Sequence, residues 1–149
     1  MVVINHQQMN SDWQLPFTTP HQLVRPYLQP TSDYSAGHRG IDLEAHVGET
    51  VHAPADGVVR FVGKIVNRAV ISINHQADLL SEFEPVCSSL KPGERIKKGD
   101  SIGVLCTADA TYVPHCQHVS CLHFSIRAAG KYFSPQKLIG GLNPSRLLP

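Results

Sequence analysis

The stretch GHRGIDLEAHVGE places His38 and Asp42 four positions apart on either side of Gly40. Side chains two or four positions apart on a strand project from the same face, so an extended segment puts both on one face and leaves open space above Gly40. Further along, CLHFSIR places Cys121 and His123 on one face of a second strand. Two imidazoles and one carboxylate form the three-ligand set of a catalytic zinc, whose fourth position stays open for water. Zinc there lowers the pKa of its water to about 7 and polarises a bound carbonyl.

Spacing by itself does not establish a metal site. The chain contains nine histidines, so a His/Asp pair of this kind arises easily by chance. The alternative is that His38 and Asp42 are two polar residues beside a turn. His75 follows a predicted strand and is expected in a turn. No function is assigned to His6, His21, His46 or His52.

The rest of the sequence must position these side chains, and it predicts an all-β, antiparallel domain. Residues 1–30 are rich in Pro and Gln and are expected to form an irregular N-terminal arm packed on a domain over residues 31–149. From residue 50 onward, six to eight short strands alternate with turn signals such as Asp56-Gly57, Pro92-Gly93 and Gly99-Asp100. No stretch keeps a helical period, apart from a possible terminal turn near SPQKLIG.

Composition narrows the function classes. The chain has 149 residues, a formal net charge of +1 and no long run of Lys or Arg, which argues against nucleic-acid binding. Its densest basic stretch, RIKKGD, is expected to be a solvated turn. No apolar run approaches the roughly 20 residues needed to span a bilayer. The first ten residues lack a basic region typical of a secretion signal, so the sequence indicates either a cytoplasmic protein or an exported one shown without its leader.

Five motifs follow one another along the chain, and their order is more specific than any one of them alone: HRGIDL, GETVHAPADGVVRFVG, ISINHQADLLSEF, PGERIKKGDSIGVL and CLHFSIR. In this order the sequence resembles the lysostaphin/LytM-type peptidoglycan zinc metallopeptidases. The flanking WQLPF, YSAGHRGIDL and YFSP are similar to the exported actinobacterial branch of that family. The resemblance implies a two-sheet antiparallel β-fold with a zinc ion at the floor of a groove. It also implies that His38, Asp42 and His123 are the zinc ligands, and that the substrates are peptide bonds in the stem or cross-bridge of peptidoglycan.

The sequence departs from that family at two positions. Active members carry a His-x-His pair, whose first histidine is a catalytic acid/base, where this chain has Cys121 two residues before its ligand histidine. Active members also carry Tyr-x-His where this chain reads Phe83-Glu84-Pro85, so Pro85 replaces the second catalytic histidine. Strand parity sends Glu84 to the face opposite Phe83 and Pro85. His115 and His118, on the approach to the ligand strand, are the candidates for a substitute acid/base.

Cys121 has three possible states, and each has a different consequence. A disulfide would make it chemically silent, a free thiolate would close the zinc site as a fourth ligand, and a protonated thiol would be a small core residue. The resemblance to the exported branch implies a Cys116–Cys121 disulfide. A separate zinc knuckle could be made by this pair with His118 and His123. It is disfavoured, because four ligands within eight residues are too crowded to surround one tetrahedral ion. A second bridge between the two remaining cysteines stays open, and any disulfide would place the protein outside the cytoplasm.

Three functions follow for this chain. The first is a zinc-binding peptidoglycan metalloendopeptidase-like domain of the cell wall with weakened or lost catalysis. The second is a fully active zinc endopeptidase that uses His115 or His118. The third is a non-catalytic module that binds wall peptides or activates a partner hydrolase. A carrier module is a further class that the sequence argues against. A lipoyl-type carrier needs an exposed lysine at a hairpin tip, and ADGVV does not supply one. A phosphocarrier barrel needs two facing histidines but has no use for Asp42.

Overall fold

The structure, a computed structural model, describes residues 13–32, 36–107, 116 and 119–139. Over these residues it consists of eleven short strands and two three-residue 3-10 turns, Gln76–Asp78 and Pro135–Lys137. None of the helical segments in this part of the chain has the length and apolar character needed to cross a bilayer.

The strands fall into two antiparallel sheets. The large sheet has eight strands in the order β1-β2-β10-β6-β5-β4-β8, with β11 paired to β10, and the small one has three in the order β3-β9-β7. The strands are β1 (Leu23–Arg25), β2 (Ile41–Glu44), β3 (Thr50–His52), β4 (Gly57–Ile65), β5 (Arg68–Asn74), β6 (Leu79–Glu84), β7 (Val86–Cys87), β8 (Arg95–Ile96), β9 (Ser101–Leu105), β10 (Cys121–Ala128) and β11 (Lys131–Phe133).

One face of the large sheet is apolar and forms the core. Ile41, Phe124, Phe83 and Ile71 are register partners across β2, β10, β6 and β5, and all four are fully buried. The two phenylalanine rings stack with centroids 4.9 Å apart. Because side chains alternate along a strand, the residues beside this row project from the other face. That alternation sends Asp42 and His123 away from the core.

The small sheet packs its apolar side chains into the same cluster as the large one. A disulfide joins Cys87, at the end of β7, to Cys106, which follows β9. Gly103 in β9 has φ 153°, and a Cβ there would lie 2.5 Å from the carbonyl oxygen of Cys87. Only glycine therefore allows the two strands to approach this closely.

The predicted two-sheet antiparallel fold is confirmed, and the terminal turn is present as Pro135–Lys137. From residue 50 onward the described residues form nine strands, β3 to β11, so the predicted count of six to eight is too low. Five of the eleven strands have only two or three residues, too few for an alternating pattern to be visible. The N-terminal segment is also more regular than expected, because β1 pairs with β2 as an edge strand of the large sheet. A boundary at residue 30 stays a prediction.

Candidate metal centre

Two neighbouring strands bring Asp42 and His123 together. In the register of β2 and β10 they are direct partners, so their side chains share one face. His38 lies before β2, where its backbone exchanges two hydrogen bonds of 2.9 Å with Leu28. This short bridge, rather than a continuous strand through residues 38–42, fixes His38 beside Asp42.

The three side chains converge on the carboxylate. His123 Nδ1 lies 2.7 Å from Asp42 Oδ1, and His38 Nε2 lies 3.2 Å from Asp42 Oδ2. One donor atom from each residue lies within 4.8 Å of the other two. The structure therefore brings the three sequence-predicted ligands to a single point.

The backbone sets the tautomer of the His38 ring. Its Nδ1–H donates to the carbonyl oxygen of Pro26 over 2.8 Å, and a carbonyl can only accept. In the neutral ring the proton is therefore on Nδ1, and the Nε2 lone pair points toward Asp42. Metal-binding histidines are commonly oriented in this way by a carbonyl on the far nitrogen. Sequence reasoning did not identify Pro26, because a carbonyl contact leaves no mark in residue type.

Asp42 is a buried anion, with none of its surface exposed. Burial alone raises the pKa of its carboxyl, but the interactions with the imidazoles of His123 and His38 outweigh burial and hold the pKa well below the usual range. Arg25, at the edge of the sheet, adds a cation 3.7 Å from Oδ2. The carboxylate is thus kept ionised, the form that binds metal.

Gly40 has a different role from the one that its spacing predicts. The expected open space above it is filled by the ring of His123. A Cβ at Gly40 would lie 2.8 Å and 2.9 Å from Cε1 and Nε2 of that ring and 2.5 Å from the carbonyl oxygen of Phe124. The expectation was wrong because it considered only the segment around Gly40 and not the strand that packs against it. Glycine here lets the ligand histidine lie flat against the backbone.

This donor set fits zinc. Zinc accepts imidazole nitrogen and carboxylate oxygen at about 2.0–2.2 Å in a tetrahedron, which separates neighbouring ligand atoms by roughly 3.3 Å. The 3.2 Å between His38 Nε2 and Asp42 Oδ2 is close to that edge, and the 2.7 Å between His123 Nδ1 and Asp42 Oδ1 is a shorter, hydrogen-bonded separation. Two imidazoles and one carboxylate leave a fourth position for water or substrate, as catalytic zinc sites do.

Cys121, at one of the two positions where the resemblance predicts a substituted catalytic histidine, forms a disulfide with Cys116. The structure thus contains the bridge that the resemblance implied, and a disulfide sulfur neither donates nor accepts a proton in catalysis. Pro85, at the other position, follows directly after β6 and has no group that can move a proton.

Glu84 lies closer to the centre than parity suggested. It is the register partner of His123, so the face opposite Phe83 is the face that carries the candidate metal ligands. Its carboxylate is buried and forms an ion pair with Arg68, with Nε 2.5 Å from Oε2. Arg68 begins β5 and Glu84 ends β6, and the pairing of these two strands brings them together. Sequence reasoning therefore missed this pair.

The described residues include four further histidines, and none of them belongs to this group. His115, His118 and His6 are outside the described residues. His75 is held between the carbonyl oxygen of Asp56 at 2.8 Å and the hydroxyl of Ser81 at 2.7 Å.

Comparison with known families agrees with this architecture. The profile of peptidase family M23 matches residues 36–135, which includes all three candidate ligands. The fold and the site thus define a member of a metallopeptidase class. The chain belongs to peptidase family M23.

Two relatives show how far sequence similarity extends. The uncharacterised protein Rv2891 of Mycobacterium tuberculosis is 30% identical over 138 residues, 90% of this chain and 53% of that protein. The peptidoglycan DD-endopeptidase ShyC of Vibrio cholerae is 30% identical over 111 residues, 73% of this chain and 24% of that protein. The chain therefore spans about half or less of these relatives.

Two solved structures share the fold. A zinc-containing peptidase from Vibrio cholerae superposes with a TM-score of 0.67 at 18% identity, covering 83% of this chain and 39% of that one. A chain of the SpoIIQ–SpoIIIAH pore-forming complex superposes with a TM-score of 0.68 at 17% identity, covering 87% of this chain and 92% of that one. At such identities the likeness concerns the fold.

Proposed function

We propose that this chain is a zinc-binding peptidoglycan endopeptidase-like domain that acts on stem or cross-bridge peptides of the bacterial cell wall with weakened catalysis. The observation that carries the proposal is the convergence of His38, Asp42 and His123 within 4.8 Å on a buried face of the large sheet. The M23 match and the similarity to a DD-endopeptidase supply the substrate class.

The chain's own residues would bind and orient the metal. Zinc held by them would supply Lewis-acid activation of water and of the scissile carbonyl. Pro26 fixes the ring of His38, and Gly40 seats the ring of His123. The Asp42 carboxylate contacts both imidazoles, and its negative charge would partly neutralise the zinc cation.

Proton transfer is the weak part of the proposed site. Neither Pro85 nor the disulfide-bonded Cys121 can act as an acid or base. Glu84 shares the ligand face, but its ion pair with Arg68 favours a structural role. A positioned acid or base contributes typically about 10²–10⁴-fold in rate, so the loss of two predicts a slow enzyme.

Disulfides support an exported location. The structure has two, Cys87–Cys106 and Cys116–Cys121, and no free cysteine among the residues that it describes. Because disulfides persist in oxidising compartments, we place the protein at the cell wall or outside the cell.

The direct test combines metal analysis with an assay on purified peptidoglycan. Wild-type protein should bind one zinc ion per chain and release peptide fragments slowly, and His38→Ala should do neither. His52→Ala is a matched control, because His52 contacts the carbonyl oxygen of Gly99 and takes no part in the centre. Wild-type protein without bound zinc would contradict the proposal.

The first alternative is a fully active enzyme that uses His115 or His118 as its acid/base. Both histidines precede β10 in the sequence. The first residue of β10, Cys121, is joined to Cys116 by a disulfide. Under this alternative, His115→Ala or His118→Ala lowers kcat by about 10²-fold or more while zinc content stays at one per chain.

The second alternative is a module that binds wall peptides or activates a partner hydrolase. The substitutions at Pro85 and Cys121 favour it, and one structural neighbour, SpoIIQ–SpoIIIAH, is described as a complex. Zinc-loaded protein would then sediment with purified peptidoglycan without releasing fragments, and His38→Ala would sediment less.

A further inference from the structure

Asp42 belongs to a second group of potential metal ligands in addition to the group that it forms with the two imidazoles. The sulfur atoms of Cys116 and Cys121 and a carboxylate oxygen of Asp42 lie within 4.8 Å of one another. In the structure the sulfurs are bonded to each other. Because the thiolate is the form of cysteine that binds metal, this group gains ligand chemistry only when the disulfide is reduced.

The spacing and surroundings of these cysteines suit zinc. Four residues separate Cys116 from Cys121, within the range of the Cys-x(2–4)-Cys pairs of zinc sites. Cys116 and Asp42 are buried and Cys121 is half-buried, so a cation between them would be largely shielded from water. Cys121 is also the register partner of Glu44 on β2, two positions from the His123–Asp42 pair.

We propose that reduction of the Cys116–Cys121 disulfide creates a second zinc site, formed by the two thiolates and Asp42, which draws the metal from the His38–Asp42–His123 centre. The inference rests on the proposed function for the identity of that first centre. What it adds is regulation by redox state. The oxidised protein holds zinc at the His38–Asp42–His123 centre, which is open to substrate, and the reduced protein holds zinc through the two thiolates and Asp42.

The chemistry balances with a dithiol as reductant. The dithiol gives up two electrons and two protons and forms its own disulfide, the Cys116–Cys121 bond breaks, and two thiols form. Zinc binding then releases the two thiol protons to solvent. Soft thiolates bind zinc strongly, and Asp42 is common to both sites. Peptide hydrolysis by the first centre should therefore fall when the disulfide is reduced.

The second disulfide must be removed before the test, since reductant opens it as well. The reference protein is therefore the double variant Cys87→Ser/Cys106→Ser, which keeps only the Cys116–Cys121 bridge. Adding Cys116→Ser and Cys121→Ser gives a matched control without thiols. Both are checked for native circular dichroism before metal is added.

The experiment loads both proteins with Co²⁺ and records near-ultraviolet absorption before and after reduction by a phosphine, which becomes a phosphine oxide with oxygen from water. Thiolate-to-cobalt charge-transfer absorption should appear only in the reduced reference protein. Competition with a chromophoric chelator should show at least tenfold tighter zinc binding after reduction. Asp42→Asn in the reference background should weaken binding in the reduced state.

The outcomes separate this inference from the proposed function. Cobalt bound to the reduced reference protein without charge-transfer absorption overturns the inference, and so does equal zinc affinity in both redox states. If the oxidised protein binds no metal but the reduced one binds cobalt through thiolates, the proposed function fails and the thiolate site stands. If His38→Ala abolishes binding only in the oxidised state, both proposals are supported.

Discussion

The proposed ligand positions and the proposed proton-transfer positions of this site have different structural support. Asp42 and His123 are register partners on central strands of the large sheet, and a backbone carbonyl fixes His38. Pro85 and Cys121 lie at strand ends, where one follows β6 and the other begins β10. Residues in the middle of a sheet are held by their neighbours on both sides, whereas strand ends tolerate substitution. Under the proposed function, the fold would thus keep a metal site where the acid/base groups have been replaced.

Among the changes considered, loss of the carboxylate that both imidazoles contact should reduce zinc affinity the most. Asp42→Asn removes the buried negative charge that both imidazoles contact. Changes outside the direct ligands already cost about 10- to 100-fold in metal affinity, so we expect more than about 100-fold weaker zinc binding here. Glu44→Gln on the same face of β2 is the control and should bind normally. Zinc affinity within threefold of wild type in Asp42→Asn would remove Asp42 from the ligand set.

Restoration of the two histidines tests the other half of the comparison. Pro85→His and Cys121→His, made together with Cys116→Ser to avoid a free thiol, should raise peptide release by about 10²-fold or more at unchanged zinc content. Cys116→Ser/Cys121→Ser is the control for loss of the disulfide. A zinc-loaded restored protein no faster than this control would show that proton transfer does not limit the rate.

A smaller change sharpens the comparison within the ligand half. Gly40→Ala forces a Cβ within 2.5 Å of the Phe124 carbonyl oxygen and against the His123 ring. Overpacking of this kind costs typically about 1–3 kcal/mol in the free energy of unfolding, and it should also weaken zinc binding. Gly63→Ala is the matched control, because its Cβ would meet only the tip of the Phe61 ring at 3.1 Å. Chemical denaturation and zinc titration of both variants measure the difference, and equal results would contradict the role given to Gly40.

Strand parity alone predicted which side chains share a face, and it placed His123 correctly relative to Cys121. It could not predict which residues of different strands lie opposite each other, because register depends on turns and bulges far along the chain. For that reason the Glu84–His123 and Asp42–His123 partnerships emerge only from the structure. The two-residue strands β7 and β8 are likewise formed by tertiary pairing and leave no pattern in the sequence.

The smallest expected effect concerns His75, a histidine remote from the proposed chemistry. Burial lowers its pKa, although the contact with Asp56 opposes the shift. Its neutral form donates from Nδ1 to the Asp56 carbonyl and accepts at Nε2 from the hydroxyl of Ser81. Since the unfolded chain binds the proton more readily, His75 stabilises the fold fully above about pH 6.5 and loses that contribution as the pH falls through the folded pKa.

His75→Gln should therefore be less stable than wild type at pH 8 and should lose less stability between pH 7 and pH 5. One proton accounts for at most about 1.4 kcal/mol per pH unit in the free energy of unfolding. Urea unfolding at each pH measures the slope. His46→Gln is the control, because it makes the same replacement at an exposed histidine. An identical pH dependence in His75→Gln and wild type would mean that His75 has the same proton affinity in the folded and unfolded chain.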